Sequence, residues 1–144
     1  MRKVSVSETV RLPVSDVWSL ITNLDLYPKF VKFVKSVSYS KKLQKGSGFH
    51  DVTTIMWVPI RVHHHVEVFE VNKTLGFYVK MLFNGFMRQR VYLTSKGNTT
   101  TIEQTVEFSF NNPLLDFLAG PILEKRVKEM LYHIVQKGKE AFEK

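Results

Sequence analysis

Near the start of the chain, Val4, Val6, Val10 and Leu12 fall at alternate positions, with Glu8 intruding in the same phase. This is the period of a strand with one buried face, and it predicts a strand over residues 2 to 11. Pro13-Val14-Ser15-Asp16 then precedes Val17, Trp18, Ile21 and Leu24, a helical spacing. Ser15 or a neighbour can cap the first free amides, and Asp16 suits the positive helix start. A short amphipathic helix is expected over residues 15 to 23. Asp25 to Pro28 adds a second brief helical turn, with Pro28 disfavouring helical geometry at Tyr27 before it.

From Val31 to Phe110 the pattern changes to β-favouring runs separated by turn chemistry. The punctuation is Lys45-Gly46-Ser47-Gly48, Val58-Pro59, Val71-Asn72-Lys73, Asn84-Gly85 and Lys96-Gly97-Asn98. Asn-Gly is the strongest of these, because both residues tolerate the positive φ of a tight hairpin turn. Six strands are expected here, making seven in an antiparallel meander. Asn112-Pro113 opens the last element, with Asn as N-cap and Pro where its missing amide costs nothing. Gly120-Pro121 is expected to kink it. Beyond that point Leu123, Val127, Met130, Leu131, Ile134, Val135, Ala141 and Phe142 share an arc of roughly 140°. A helix from Pro121 to Glu143 would run about 34 Å.

These elements do not tile flat. Seven strands make a sheet about 30 Å wide, whereas a helix with its side chains is about 10–12 Å across. The sheet must therefore curl around the terminal helix, giving an α+β fold with two short helices after the first strand. The space between sheet and helix is either filled by large side chains or left as a pocket. The 11 Phe, 5 Met and 2 Trp of the chain suit both outcomes.

Composition narrows the class. With 144 residues, 44% of them hydrophobic and 24% charged, the chain has the material for one folded domain spanning residues 1–144. It shows no internal repeat, low-complexity tract or linker. The absence of cysteine excludes disulfides, thiolate nucleophiles and Cys-ligated metal centres. The longest apolar run, Ile55 to Ile60 with Pro59 inside it, is far shorter than the ~20 residues of a membrane span. A cytoplasmic protein, peripheral to a membrane at most, is the expectation.

The order of elements, together with Val17-Trp18-Ser19-Leu20-Ile21 and Tyr27-Pro28-Lys29-Phe30, resembles the helix-grip superfamily. That superfamily holds START-type lipid-binding domains, polyketide cyclases and plant carriers of hydrophobic ligands. Tyr27-Pro28-x-Phe30-Val31, Asn84-Gly85-Phe86, Val106-Glu107-Phe108-Ser109-Phe110 and Leu114-Leu115 look most like its coenzyme Q-binding and ribosome-association-toxin branch. The resemblance implies a cavity for an apolar molecule between the sheet and the last helix.

His63-His64-His65 invites a metal reading, but alternation sends His63 and His65 one way and His64 the other. Only Glu67 offers a third ligand in the same row, and no metal is expected. Arg61, His63, His65 and Glu67 instead form an outer row, and Val62, His64, Val66 and Val68 an inner one. His64 is thus polar among apolar neighbours, as are Gln89 between Met87 and Val91 and Gln104 between Ile102 and Val106. A hairpin closing Ser95 against Thr100 sets Gln104 opposite Val91 with Gln89 diagonal to it. An unpaired buried polar group costs about 1–3 kcal/mol, so these side chains need partners in the core, in water or in a ligand.

One register is ambiguous. A two-residue turn at Asn84-Gly85 pairs Phe83 with Phe86 and puts Met81 opposite Arg88, sending an arginine inward. A bulge pairing Phe83 with Met87 keeps Arg88 and Arg90 outside, and is preferred. Glu8 and Glu70 fall in the inner phase near strand ends. No Ser-His-Asp grouping, phosphate-binding glycine loop or HExxH helix is present.

Six lysines, Lys29, Lys32, Lys35, Lys41, Lys42 and Lys45, lie between residues 26 and 50 with no acid among them and hold much of the net charge of +8. Strand alternation is expected to divide them between faces. They suit an anionic membrane surface, or less favourably RNA or a ribosome. The leading expectation is carriage or sensing of a hydrophobic small molecule, without a cofactor. Its walls would be Trp57, Phe77, Met81, Phe108, Met130 and Ile134, and its orienting groups His64, Gln89 and Gln104. A cyclase- or dehydratase-like enzyme would use the same cavity with His64 as its base.

Overall fold

The computed structural model describes residues 2–54, 58–81 and 84–142. Strand β1 (Arg2–Val10) leads into α1 (Val14–Ile21), a 3-10 turn at Leu24–Leu26 and α2 (Tyr27–Phe30). Six strands follow: β2 (Val34–Ser38), β3 (Gly48–Thr53), β4 (Ile60–Glu70), β5 (Thr74–Lys80), β6 (Phe86–Lys96) and β7 (Thr99–Ser109). The chain ends in α3 (Pro113–Leu118) and α4 (Gly120–Phe142). All seven strands form one curved antiparallel sheet in the order β1-β7-β6-β5-β4-β3-β2. Only β1 departs from sequence order, pairing with β7 from Arg2↔Phe108 to Val10↔Thr100.

Local chemistry explains most boundaries. The Asn112 side chain accepts from the Leu114 and Leu115 amides, capping α3 with Pro113 at its first position. The helix breaks at Ala119, as the Gly120-Pro121 pair foreshadows, and Arg2 holds the start of α4 through a 2.6 Å ion pair with Glu124. Between β6 and β7, Lys96 pairs with Thr99, so the connection is two residues long with Gly97 at φ 61°, the residue this turn demands first.

Four local expectations need correction. Ser15 does not cap α1: the helix starts after Pro13 without a side-chain cap, and the Pro13 carbonyl accepts from the Asp16 and Val17 amides. Tyr27 is helical (φ −57°, ψ −43°) despite Pro28. Its hydroxyl donates to the Ile21 carbonyl at 2.6 Å, and its ring sits edge-on to Phe49. These tertiary contacts override the local preference. In β4 the pairing slips between Val66 and Val68, so the bulge hands the inner position to Phe69, which packs edge-on to Trp18, while Val68 and Glu70 take the outer phase.

The fourth correction concerns the β5–β6 hairpin. Phe83 lies outside the described residues, but Met87, expected opposite it, faces Val79, and Phe77 faces Gln89. The Met81 amide donates to the Gly85 carbonyl at 2.8 Å, and Asn84 takes its left-handed φ of 62° within a longer connection. Aligning Leu75, Phe77 and Val79 with Val91, Gln89 and Met87 on one face outweighs the preference of Asn-Gly for a two-residue turn. Arg88 and Arg90 therefore stay outside, as the bulged register required.

The interior is divided in two. One cluster gathers Val17, Trp18 and Leu24 of the early helical segment against Phe49, Leu75, Phe77, Leu93 and Ile102. The other packs Leu123, Val127, Met130 and Leu131 of α4 against Val4, Val6, Val79, Met87, Val106 and Phe108. The short helices thus share with α4 the covering of a sheet too wide for one helix. The side chains of Val135, Ala141 and Phe142, expected on the apolar arc of α4, lie outside the described residues.

Candidate functional site

Between the two clusters runs a belt of polar side chains on the inner face of the sheet. In β7, Gln104 separates Ile102 of one cluster from Val106 of the other. In β6, Gln89 separates Val91 from Met87, and in β4, His64 separates Val66 from Val62. Glu8 holds the corresponding place in β1 between Val10 and Val6. The register predicted for the last hairpin is the one observed, with Ser95 opposite Thr100, Gln104 opposite Val91 and Gln89 opposite Val106.

Asp51 completes the belt, and sequence reasoning missed it. It occupies the inner face of β3 opposite Val62, one step diagonally from His64, and its Oδ2 lies 2.7 Å from His64 Nε2. Both residues are more than nine-tenths buried, at 4% exposure for Asp51 and 8% for His64. The imidazole is stacked on Phe49 at 4.6 Å and nearly parallel to it, with Phe77 edge-on at 5.9 Å. Each partner keeps one buried atom without a hydrogen bond, Asp51 Oδ1 and His64 Nδ1. The alternation Phe49-x-Asp51 shows that Asp51 shares the buried phase. Its pairing with His64 depends on the β3–β4 register, which the turn signal Val58-Pro59 alone does not specify.

The other expected site residues distribute unevenly. Phe77 belongs to the first cluster and lies edge-on to Phe49 and His64, whereas Met81, Phe108, Met130 and Ile134 belong to or pack against the second. Gln104 is buried, and Gln89 is half-buried with its amide nitrogen 3.6 Å from Met87 Sδ. Trp57 lies outside the described residues. Clefts lined by described residues open elsewhere. One of about 550 Å³ lies on the outer face among Lys3, Arg88, Arg90, Tyr92, Glu103, Thr105 and Glu107, and one of about 350 Å³ lies along Ser40 to Gly48.

On the outer face of β4, His63 contacts His50 with ring centroids 4.5 Å apart. Partial burial and then the neighbouring His50, His65 and His64 lower the His63 pKa. Among the described residues no three His, Asp or Glu side chains are placed to hold a metal ion. Glu67 instead accepts from Arg90 at 3.2 Å and Arg88 at 3.3 Å. The six lysines are exposed, but alternation does not divide them as expected: only Lys35 lies in a strand, Lys29 lies in α2, and Lys41, Lys42 and Lys45 lie in the β2–β3 loop. Lys32 approaches Glu129 of α4 at 3.8 Å and lies 5.2 Å from the Phe33 ring centroid. No helix among the described residues is long and apolar enough to cross a membrane.

A curved sheet closed on a long terminal helix defines the helix-grip class. Residues 1–143 match the family described as polyketide cyclase / dehydrase and lipid transport, and the chain belongs to that family. A START superfamily protein from Mycobacterium smegmatis is similar in fold, with TM-score 0.75 at 16% identity over 98% of this chain and 97% of that one. A protein from Thermus thermophilus gives TM-score 0.71 at 16% identity over 92% and 94%. The Zhui aromatase/cyclase from Streptomyces sp. R1128 gives 0.67 at 16% identity over 94% and 85%. At these identities the likeness is one of fold. A search of curated proteins finds no match.

Proposed function

We propose that this chain acts as a single ligand-binding domain that carries or senses a hydrophobic small molecule held between the sheet and α4. The observation that carries the reading is the polar belt, above all the two buried atoms of the Asp51–His64 pair without partners. Leaving such atoms unpaired costs about 1–3 kcal/mol each, a burden that a purely structural core sheds by substitution. A bound polar group on an apolar body would remove that cost, with Phe77, Met81, Phe108, Met130 and Ile134 supplying walls and Gln89 and Gln104 further polar contacts. Family membership supports the same class of ligand, and the resemblance to the coenzyme Q-binding branch puts quinones among the molecules to try. Native mass spectrometry of protein purified without denaturant should show an added small-molecule mass that organic solvent extracts. Bare protein in every preparation, with no shift of the Val79 and Met87 methyl resonances on adding a panel of apolar molecules, would overturn the proposal.

A second reading is cyclase- or dehydratase-like turnover in the same place. It is favoured by the Asp51–His64 hydrogen bond, which orients the ring and leaves Nδ1 free to take a proton. His64→Gln should then abolish turnover without loss of folding, and unchanged turnover would remove His64 from the chemistry. The exposed lysines are proposed as a docking surface for anionic bilayers in preference to RNA or ribosomes. Salt-dependent retention on anionic vesicles tests this, and retention on RNA alone would reverse the preference.

A further inference from the structure

Resting on the ligand-binding reading above, we infer that the ligand presents a hydroxyl group to the Asp51–His64 pair, and that Asp51 is the residue that sets this preference. An ionised carboxylate has acceptor sites only, so in the 2.7 Å contact the shared proton belongs to His64 Nε2. In the neutral imidazole that proton excludes one from Nδ1, which becomes a lone-pair acceptor. Both partnerless atoms, Asp51 Oδ1 and His64 Nδ1, then call for donors. With the ring protonated, Nδ1 turns into a donor but Oδ1 still requires one; a hydroxyl serves in either case because it donates and accepts, its single proton satisfying one of the two acceptors at a time. A carbonyl or ether oxygen has nothing to offer Oδ1.

Charge narrows the class further. A carboxylate or phosphate head group would have to share a buried site with the Asp51 carboxylate, like charge against like charge in a region that water cannot screen. An ammonium group would have to shed its hydration among Phe49, Phe77 and the apolar clusters. A neutral apolar body bearing a hydroxyl meets neither penalty. Gln89 and Gln104, each able to donate and accept, place no such restriction, so the selectivity rests with Asp51.

Matched probes test this: 2-naphthol, 2-methoxynaphthalene and 2-naphthoate, titrated into the full chain by calorimetry. The naphthol should bind about tenfold more tightly than either other probe, one hydrogen bond's worth of discrimination. In ¹⁵N-labelled protein it should also shift the His64 Nδ1 resonance, which the methoxy compound should leave in place. Asp51→Asn should bring the methoxy compound level with or ahead of the naphthol, because the amide NH₂ donates to Nε2 and moves the ring proton to Nδ1. If Asp51→Asn does not fold, the wild-type resonance decides. Equal affinity for the naphthol and its ether, with no Nδ1 shift, would overturn the inference while leaving the ligand-binding reading intact. Binding of none of the three would count against the ligand-binding reading itself.

Discussion

The sheet carries ionisable groups on both faces, Glu67 of β4 with Arg88 and Arg90 of β6 outside and Asp51 of β3 with His64 of β4 inside, and the two sets are built on opposite principles. Outside, Glu67 is shared by Arg88 and Arg90, and Arg90 also donates to the Gln89 carbonyl at 3.0 Å. That cluster is half open to water, and its charges answer one another. Inside, Asp51 and His64 are almost wholly buried and still leave two atoms unanswered. The outer charges pair with one another across β4 and β6, whereas each unpaired atom of the inner set is expected to cost about 1–3 kcal/mol. On the ligand-binding reading proposed above, the contrast is what sets the inner pair apart from the outer one.

The sharpest way to break that contrast is to make the inner pair apolar. Asp51→Val with His64→Leu replaces both partners by groups of similar size, and should raise unfolding free energy by about 1–3 kcal/mol in urea titration while abolishing binding of apolar probes. A fall in stability would instead make the pair a structural element. Outside, Glu67→Ala should cost about 1 kcal/mol or less, and the loss should shrink further in high salt. An effect as large as that of the inner pair would erase the difference between the faces.

The smallest effect is expected with pH at His63. Its folded-state pKa lies below the ordinary imidazole value, so the unfolded chain takes up the proton first as pH falls. Stability contributed by the neutral ring is full above the ordinary pKa and declines on acidification towards the folded one. Denaturation midpoints for wild type should drop from neutral to mildly acidic pH, and His63→Gln should flatten part of that slope. An identical slope in the variant would show that His63 does not contribute.

What the sequence disclosed follows from how far each signal reaches along the chain. Alternation over β6 and β7, joined by a turn with Gly97 at its first central position, was enough to place Gln104 opposite Val91, because the hairpin is local. His64 could be turned inward from its neighbours Val62 and Val66 alone. Asp51 could not be brought to it, since the six residues between β3 and β4, with Val58-Pro59 as their turn signal, do not fix a register. The hairpin at Asn84-Gly85 misled only in detail: keeping two apolar rows on one face fixes the phase, with Arg88 and Arg90 outside, but not the length of the connection, so Met87 faces Val79 in place of Phe83. Tyr27 entered a helix before proline, held by contacts with Ile21 and Phe49 from other segments.

The slip in β4 bears on how this chain can change length. Glu67 and Val68 together oppose a single residue of β5, Gly76, and both side chains are directed away from the interior. Removing Glu67 would straighten the strand while Val62, His64, Val66 and Phe69 continued to point inward, so this deletion leaves the inner phase unchanged. The molecule would register it only as two arginines released from their clasp.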